Sequence, residues 1–323
     1  RSHGWQENKQ GVGMARKTLI DAIMSTAKDH DIIVSLDADT TFGENYLASV
    51  LDIFSKNPGA MALANPYYHN LVDYEALNRA ILRYEIYMRY YALNMRKTGS
   101  PFCFTPLGSA MAAPVWACKK IGGLTPKKSG EDFYFLQKLA KTGKVLMSNT
   151  EIVYPGTRTS DRVFFGTGPA VIKGLAGEWS SYPLYEPDLF NQVRQTIELF
   201  PLLHQSPCPT PMDSFLMKQF GTEDIFTPLR TNHKDIGRFI KACHEKIDGL
   251  RILQFLKDGQ NKLVSKDKNN LQVFLGSNFE ISTIQQELDD LDFTKSPLEN
   301  INKIRNFLFE TELKLQKGDD HVK

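Results

Sequence analysis

The chain has 323 residues, enough for one large or two ordinary domains with a sizeable core. Apolar residues make up 41% and charged residues 24%, the balance of a globular protein, and the formal charge of +2 does not argue for nucleic acid or for a strongly acidic partner. Cys103, Cys118, Cys208 and Cys243 are far apart with no CxxC pair, which favours free thiols in a reducing compartment over a disulfide framework or a zinc site. No apolar run approaches the roughly 20 residues that span a bilayer, and no signal peptide is visible. The expectation is a cytoplasmic protein, at most at the inner face of a membrane. Opening at Arg1 rather than Met, the chain reads as a fragment.

Gly11-Val12-Gly13-Met14-Ala15-Arg16 leads a helical pattern with Leu19, Ile20, Ile23, Met24 and Ala27 on one stripe. The glycines can bring backbone near a phosphate, with Arg16 as a cation. The spacing is not the dinucleotide GxGxxG, and a plain loop-to-helix junction explains it equally. In His30–Phe42, Ile32, Ile33, Val34 and Leu36 make a short run that predicts a buried strand of a parallel sheet. It stops at Asp37-Ala38-Asp39. Side chains two apart on an extended chain point the same way, so both carboxylates can serve one cation. Hard oxygen ligands at the carboxyl end of a strand suit Mg²⁺ or Mn²⁺ bridged to a diphosphate, whereas the plain alternative is a strand end followed by Asx-type turn residues.

Glu44–Lys56 predicts a helix with Leu47, Val50, Leu51 and Phe54 inward, ended by Asn57-Pro58-Gly59. Ala60–Asn65 predicts a second buried strand. Alternating helix and strand is the pattern of an α/β layer. Glu75–Lys97 is a long basic and aromatic helix; Arg79, Arg83, Arg89 and Arg96 can touch a membrane surface or snorkel from a helix packed on the sheet, and packing is preferred. Pro101–Ala113 is apolar around Gly108-Ser109. Pro114 suits the first position of a short helix that Gly122-Gly123 ends. Ser129-Gly130-Glu131-Asp132 then enters a helix over Phe133–Lys141. Ser129 with Asp132 three residues on resembles a capping box, and acids in a first turn favour the helix dipole. One of these acids can equally be a general base at a cleft mouth, and spacing alone leaves both readings open.

The ordered series is a strand ending in Asp37-Ala38-Asp39, a small-residue strand at Gly108-Ser109-Ala110, a Gly122-Gly123 turn and Glu131-Asp132 opening a helix. It resembles the family 2 glycosyltransferases of the GT-A fold over about Asn8 to Tyr154, and Gly11–Arg16 looks like that family's G-x-x-x-A-R element. The resemblance implies that Asp39, helped by Asp37, holds a divalent metal and the donor, and that Asp132 is the base with Glu131 in reserve. It also implies donor contacts at Gly11 and Arg16. Members normally begin with further strands that cradle the nucleotide base. Those strands are missing here, so the expectation is a GT-A-like layer lacking its first strands.

Lys144–Tyr154 predicts another strand. Arg158 and Arg162, with Gly166 and Gly168, suit a loop over a diphosphate, since arginine grips phosphate bidentately. Trp179, Tyr182 and Tyr185 can stack on sugar or pack between domains, the latter preferred. Gly108, Ser109 and Trp179 are candidate acceptor contacts. Pro201, Pro207, Pro209 and Pro211 look like a linker. Beyond it the pattern is mainly helical, with a small hairpin near Leu263 and Leu271–Leu275, a capped helix after Ser296-Pro297-Leu298-Glu299, and a tail at Gly318–Lys323 that should fray. The expected architecture is an α/β, GT-A-like mixed sheet with flanking helices over residues 1–200. A linker at 201–211 and a mainly helical region at 212–323 follow. The expected activity is that of an inverting, hexosyltransferase-type enzyme. It would move sugar from a UDP- or GDP-sugar to a hydroxyl-bearing glycan or lipid-linked acceptor, with peripheral membrane contact allowed. Rival readings are a nucleotidyltransferase on a related sheet and a non-catalytic module that binds sugar nucleotides or partners.

Overall fold

The computed structural model describes residues 11–158, 166–263 and 266–319. In chain order its elements are α1 (Val12–Thr26), β1 (Ile32–Ser35), β2 (Thr41–Phe42), α2 (Tyr46–Lys56), β3 (Ala62–Ala64), α3 (Glu75–Lys97), β4 (Met111–Pro114), α4 (Val115–Lys120), α5 (Glu131–Thr142), β5 (Val145–Leu146), β6 (Val153–Tyr154) and α6 (Thr167–Leu175). Helices follow: α7 (Pro187–Glu198), α8 (Phe200–Gln205), α9 (Asp213–Phe220), α10 (Phe226–Asn232), α11 (Ile236–Lys246), α12 (Gly249–Gln260), α13 (Asp267–Asn278), α14 (Gln285–Asp289) and α15 (Leu298–Asp319). The chain is mixed α/β, with a small mixed sheet and a helical carboxyl-terminal region.

Two compact units divide it: residues 1–89, 104–182 and 290–323 form the first, 90–103 and 183–289 the second. This cuts the chain elsewhere than at the proline cluster. Pro201 lies in the first turn of α8, inside the second unit, and α15 belongs to the first.

The first unit holds a four-stranded sheet of order β1-β4-β3-β5. β4 is antiparallel to both neighbours, with Ile32 opposite Pro114 and Leu63 opposite Ala112; only β3 and β5 run parallel. The expectation of a parallel strand at Ile32–Ser35 is therefore corrected, because β1 pairs with β4 alone among the described residues. Tyr46, Val50 and Phe54, four apart on α2, sit in the core with Leu63, Ile81 and Val153. Leu47 and Leu51 fall one position off that stripe and are exposed, contrary to expectation. Of the stripe expected on α1, Ile20 is buried while Leu19 and Ile23 are exposed.

Two further corrections follow from local hydrogen bonding. The expected strand over 144–154 is two short strands in different sheets. Between them Asn149 Nδ2 donates to Asn65 Oδ1 at 2.7 Å, and Asn65 Nδ2 donates to the Glu151 carbonyl at 3.1 Å, tying the chain into a loop. Gly108-Ser109-Ala110 is a turn, closed by the Ala110 amide on the Leu107 carbonyl at 2.9 Å, and the strand begins only at Met111.

Two of the four arginines of α3, Arg83 and Arg89, are inside rather than snorkelling, while Arg79 and Arg96 are half-buried. Arg83, Arg89 and, from α15, Arg305 are each about 1% exposed. Glu85 gathers most of this charge: Arg89 donates to its Oε1 from Nη2 at 2.6 Å, while Arg305 Nη1 lies 3.2 Å and His69 Nδ1 2.9 Å from its Oε2. Arg89 Nη1 reaches Glu312 at 2.6 Å. Burial alone would raise the Glu85 carboxyl, but these cations and the His69 hydrogen bond hold it well below the usual range. With Arg83 and Arg89 buried, they offer a lipid headgroup nothing.

The second unit is helical. Asp235 and Asp248 cap α11 and α12, accepting from the amides of Arg238 at 2.9 Å and Arg251 at 3.1 Å. Tyr90, Phe190 and Phe274 meet edge-to-face in its core. The hairpin expected near Leu271–Leu275 is instead α13, whose buried Leu271, Phe274 and Leu275 follow helical spacing.

Candidate active site

β1 stops at Ser35, and Asp37-Ala38-Asp39 enters a turn in which the Thr40 amide donates to the Asp37 carbonyl at 3.0 Å. The alternation of an extended chain therefore does not govern the two carboxylates. Each instead meets its own arginine. Arg16 Nη2 donates to Asp37 Oδ1, and Arg158 Nε donates to Asp39 Oδ2.

The second pairing follows from sheet register. β2 and β6 run antiparallel with Thr41 opposite Tyr154, so the residues just before β2 face those just after β6. That places Asp39 beside Gly156, where a Cβ would stand 2.8 Å from Asp39 Oδ2, and Arg158 follows two residues on. Of the rest of the expected loop, Arg162 lies outside the described residues, Gly166 stands just before α6 and Gly168 lies in its first turn.

Arg16 is held on the other side by α5. Its Nη1 donates to Glu131 Oε1 at 3.2 Å. Gly13, one turn earlier on α1, packs so tightly on the backbone of Lys127 that a Cβ would lie 2.2 Å from the Lys127 carbonyl oxygen, which sets α1 against the approach to α5. Gly11 stands before the helix as its cap residue. The expected capping box is absent: α5 is capped by Gly130 at φ 71° and ψ 25°, with no side-chain bond, a left-handed conformation that favours glycine. Freed from capping, Asp132 turns back on its own helix and accepts from the Phe133 amide at 2.7 Å.

Arg16, Asp37, Gly108, Glu131 and Asp132 thus meet from four parts of the chain. Burial, then the Asp132 charge, pushes the Glu131 carboxyl up to about 7 against the opposing pull of Arg16. Burial also raises Asp132, with Arg16 and the amides of Phe133 and Gly108 opposing the rise. Tyr84 feels the Asp132 charge and is itself pushed well above the tyrosine range, mainly by burial. It stacks on Tyr87 at 6.0 Å and meets Tyr182 edge-on at 5.2 Å.

The remaining candidates stand elsewhere. Ser109 is buried in the turn before β4. Trp179 lies over the Arg83 guanidinium, 5.1 Å from its ring centroid, and against Gly174, so its packing resembles core rather than an open sugar platform. Trp179 and Tyr182 belong to the first unit and Tyr185 to the second.

For a divalent cation, Asp37 and Asp39 offer side chains that are 44% and 30% exposed, and each commits one named oxygen to an arginine. No cluster of three or more His, Cys, Asp or Glu suited to a metal exists among the described residues. Mg²⁺ is commonly held by one or two carboxylates plus substrate phosphates, and the pair fits that donor set. No helix among the described residues is long and apolar enough to cross a membrane. In comparisons with known proteins, no family model matches the chain and no curated protein matches it.

Proposed function

We propose that the protein transfers a sugar from a nucleotide-diphosphate donor to a hydroxyl acceptor with inversion at the anomeric carbon. The observation that carries this reading is the acid–arginine cluster: two strand-end acids paired with two arginines, beside two acids of raised pKa at the head of α5. Arginines and exposed carboxylates together suit a diphosphate and its counter-cation, and a carboxylate of raised pKa is a better proton acceptor near neutrality.

Asp132 takes the proton from the acceptor hydroxyl as that oxygen attacks the anomeric carbon. The bond from that carbon to the diphosphate breaks, and the nucleoside diphosphate leaves with the electron pair. Arg158 and Arg16 exchange a carboxylate for phosphate oxygens as the donor arrives. Asp39, helped by Asp37, would hold Mg²⁺ or Mn²⁺, whose contribution is to offset charge on the departing diphosphate.

A panel of UDP- and GDP-sugars with hydroxyl acceptors tests the reading, scored for nucleoside diphosphate release together with sugar on the acceptor. Both products should appear and should depend on Mg²⁺ or Mn²⁺. Nucleotide attached to the acceptor would point to nucleotidyl transfer, and binding without turnover across the panel would contradict catalysis. Asp39→Ala should abolish metal-dependent donor binding, read by calorimetry, while the melting temperature stays near that of the parent protein. Unchanged donor and metal binding would place the cation elsewhere.

A further inference from the structure

Gly108 lies where all parts of the acid cluster converge, yet its backbone is not among those with positive φ. Nothing in its conformation asks for glycine. Its surroundings do. A Cβ at this position would stand 1.7 Å from Arg16 Nη1, 2.4 Å from Cζ and 2.6 Å from Nη2, so the guanidinium lies across the bare Cα. The residue is also anchored on both sides. Ser35 Oγ, at the end of β1, donates to the Gly108 carbonyl at 2.7 Å, and the Gly108 amide donates to the Asp132 carboxyl.

We propose that Gly108 is a positioning residue: its missing side chain is the seat of the Arg16 guanidinium, and through that seat it fixes Arg16 between Asp37 and Glu131. The role rests on the sugar-transfer reading for its purpose, though not for its geometry. It replaces direct acceptor contact as the reason for glycine here. A side chain at this point would evict Arg16 rather than break the fold, since the group in its way is the far end of a flexible side chain. With Arg16 displaced, Glu131 would face the Asp37 and Asp132 charges with no cation between them. Asp132 would keep its anchor on the Gly108 amide, so the two acids of the pair would respond differently.

The test is a double-variant cycle on Gly108→Ala and Arg16→Ala, read by carbon-13 NMR titration of the Glu131 carboxyl, with Glu131→Gln used to assign the signal. Loss of a facing cation raises a carboxyl by about one pH unit or more. Arg16→Ala should therefore raise the Glu131 midpoint by that amount, Gly108→Ala should do the same, and the double variant should match Arg16→Ala alone. Each protein should remain folded by melting curve. An unchanged midpoint in Gly108→Ala would overturn the proposal, as would a Gly108→Ala shift of equal size with Arg16 already removed. Failure of Gly108→Ala to fold, unrescued by Arg16→Ala, would overturn it too, because the glycine would then serve the fold. The titration needs no substrate, so its failure strikes Gly108 alone, whereas absence of sugar transfer by the parent protein strikes the catalytic reading.

Discussion

The Glu85 cluster and the Arg16 cluster share one unit and one chemistry, arginine set against carboxylate, yet they end in opposite states. Around Glu85, Arg89, Arg305 and His69 all converge on one buried acid, and its carboxyl is held well below the usual range. Around Arg16 the ratio is reversed: one guanidinium reaches Asp37 and Glu131 with Asp132 close by, and the Glu131 carboxyl rises to about 7. The difference teaches that burial alone does not decide what a charged group is for. Cations per carboxylate decide it. Two arginines matched to Glu85 and Glu312 make a fastening between α3 and α15; one arginine among three carboxylates leaves a carboxylate able to accept a proton.

The sharpest way to break the comparison is to remove the fastening. Glu85→Ala leaves Arg89 and Arg305 buried without their main partner and should cost about 3–5 kcal/mol of stability by denaturant unfolding. A loss below about 1 kcal/mol would mean the cluster fastens nothing.

Acidity separates the two clusters by sign. Glu131 has its folded pKa raised above the unfolded value near 4.5, so its contribution to stability is fully present below that value and is lost as pH rises through about 7. Glu85 has its folded pKa depressed, so its contribution is present above the unfolded value and is lost as pH falls toward the folded one. Stability curves against pH should therefore gain about 2–3 kcal/mol near neutrality in Glu131→Gln relative to the parent protein. Parallel curves from pH 4 to 8 would contradict the raised carboxyl.

The smallest expected effect concerns Arg158. Its pair with Asp39 is largely exposed, and such pairs contribute about 0–1 kcal/mol. Arg158→Ala should barely move the melting temperature while weakening donor binding. A large stability loss with donor binding intact would make this pair a second fastening.

The outline of the layer was legible in the sequence because short β-branched runs and capped helices carry local signals. Ile32–Ser35, the strand at Ala62–Ala64 and the helix at Glu75–Lys97 were all visible. Strand direction was not, since Ile32 opposite Pro114 is a long-range pairing with no local mark. At the site, the acids and Arg16 were named, but two local expectations about their geometry do not hold. Asp37 and Asp39 lie in a turn rather than on an extended chain, and Ser129 yields the cap to Gly130. Gly156 was invisible because sheet register, not composition, brings it to Asp39.

The central claim is that the acids at the head of α5 react rather than fasten. Turnover and melting temperature measured together on Asp132→Asn test it most directly. The substitution keeps the shape and much of the hydrogen bonding to the Phe133 and Gly108 amides but cannot accept a proton. Turnover should fall roughly 10²–10⁴-fold with donor affinity nearly unchanged and the melting temperature unchanged or raised. A lowered melting temperature with turnover intact would contradict the claim and return Asp132 to the fold.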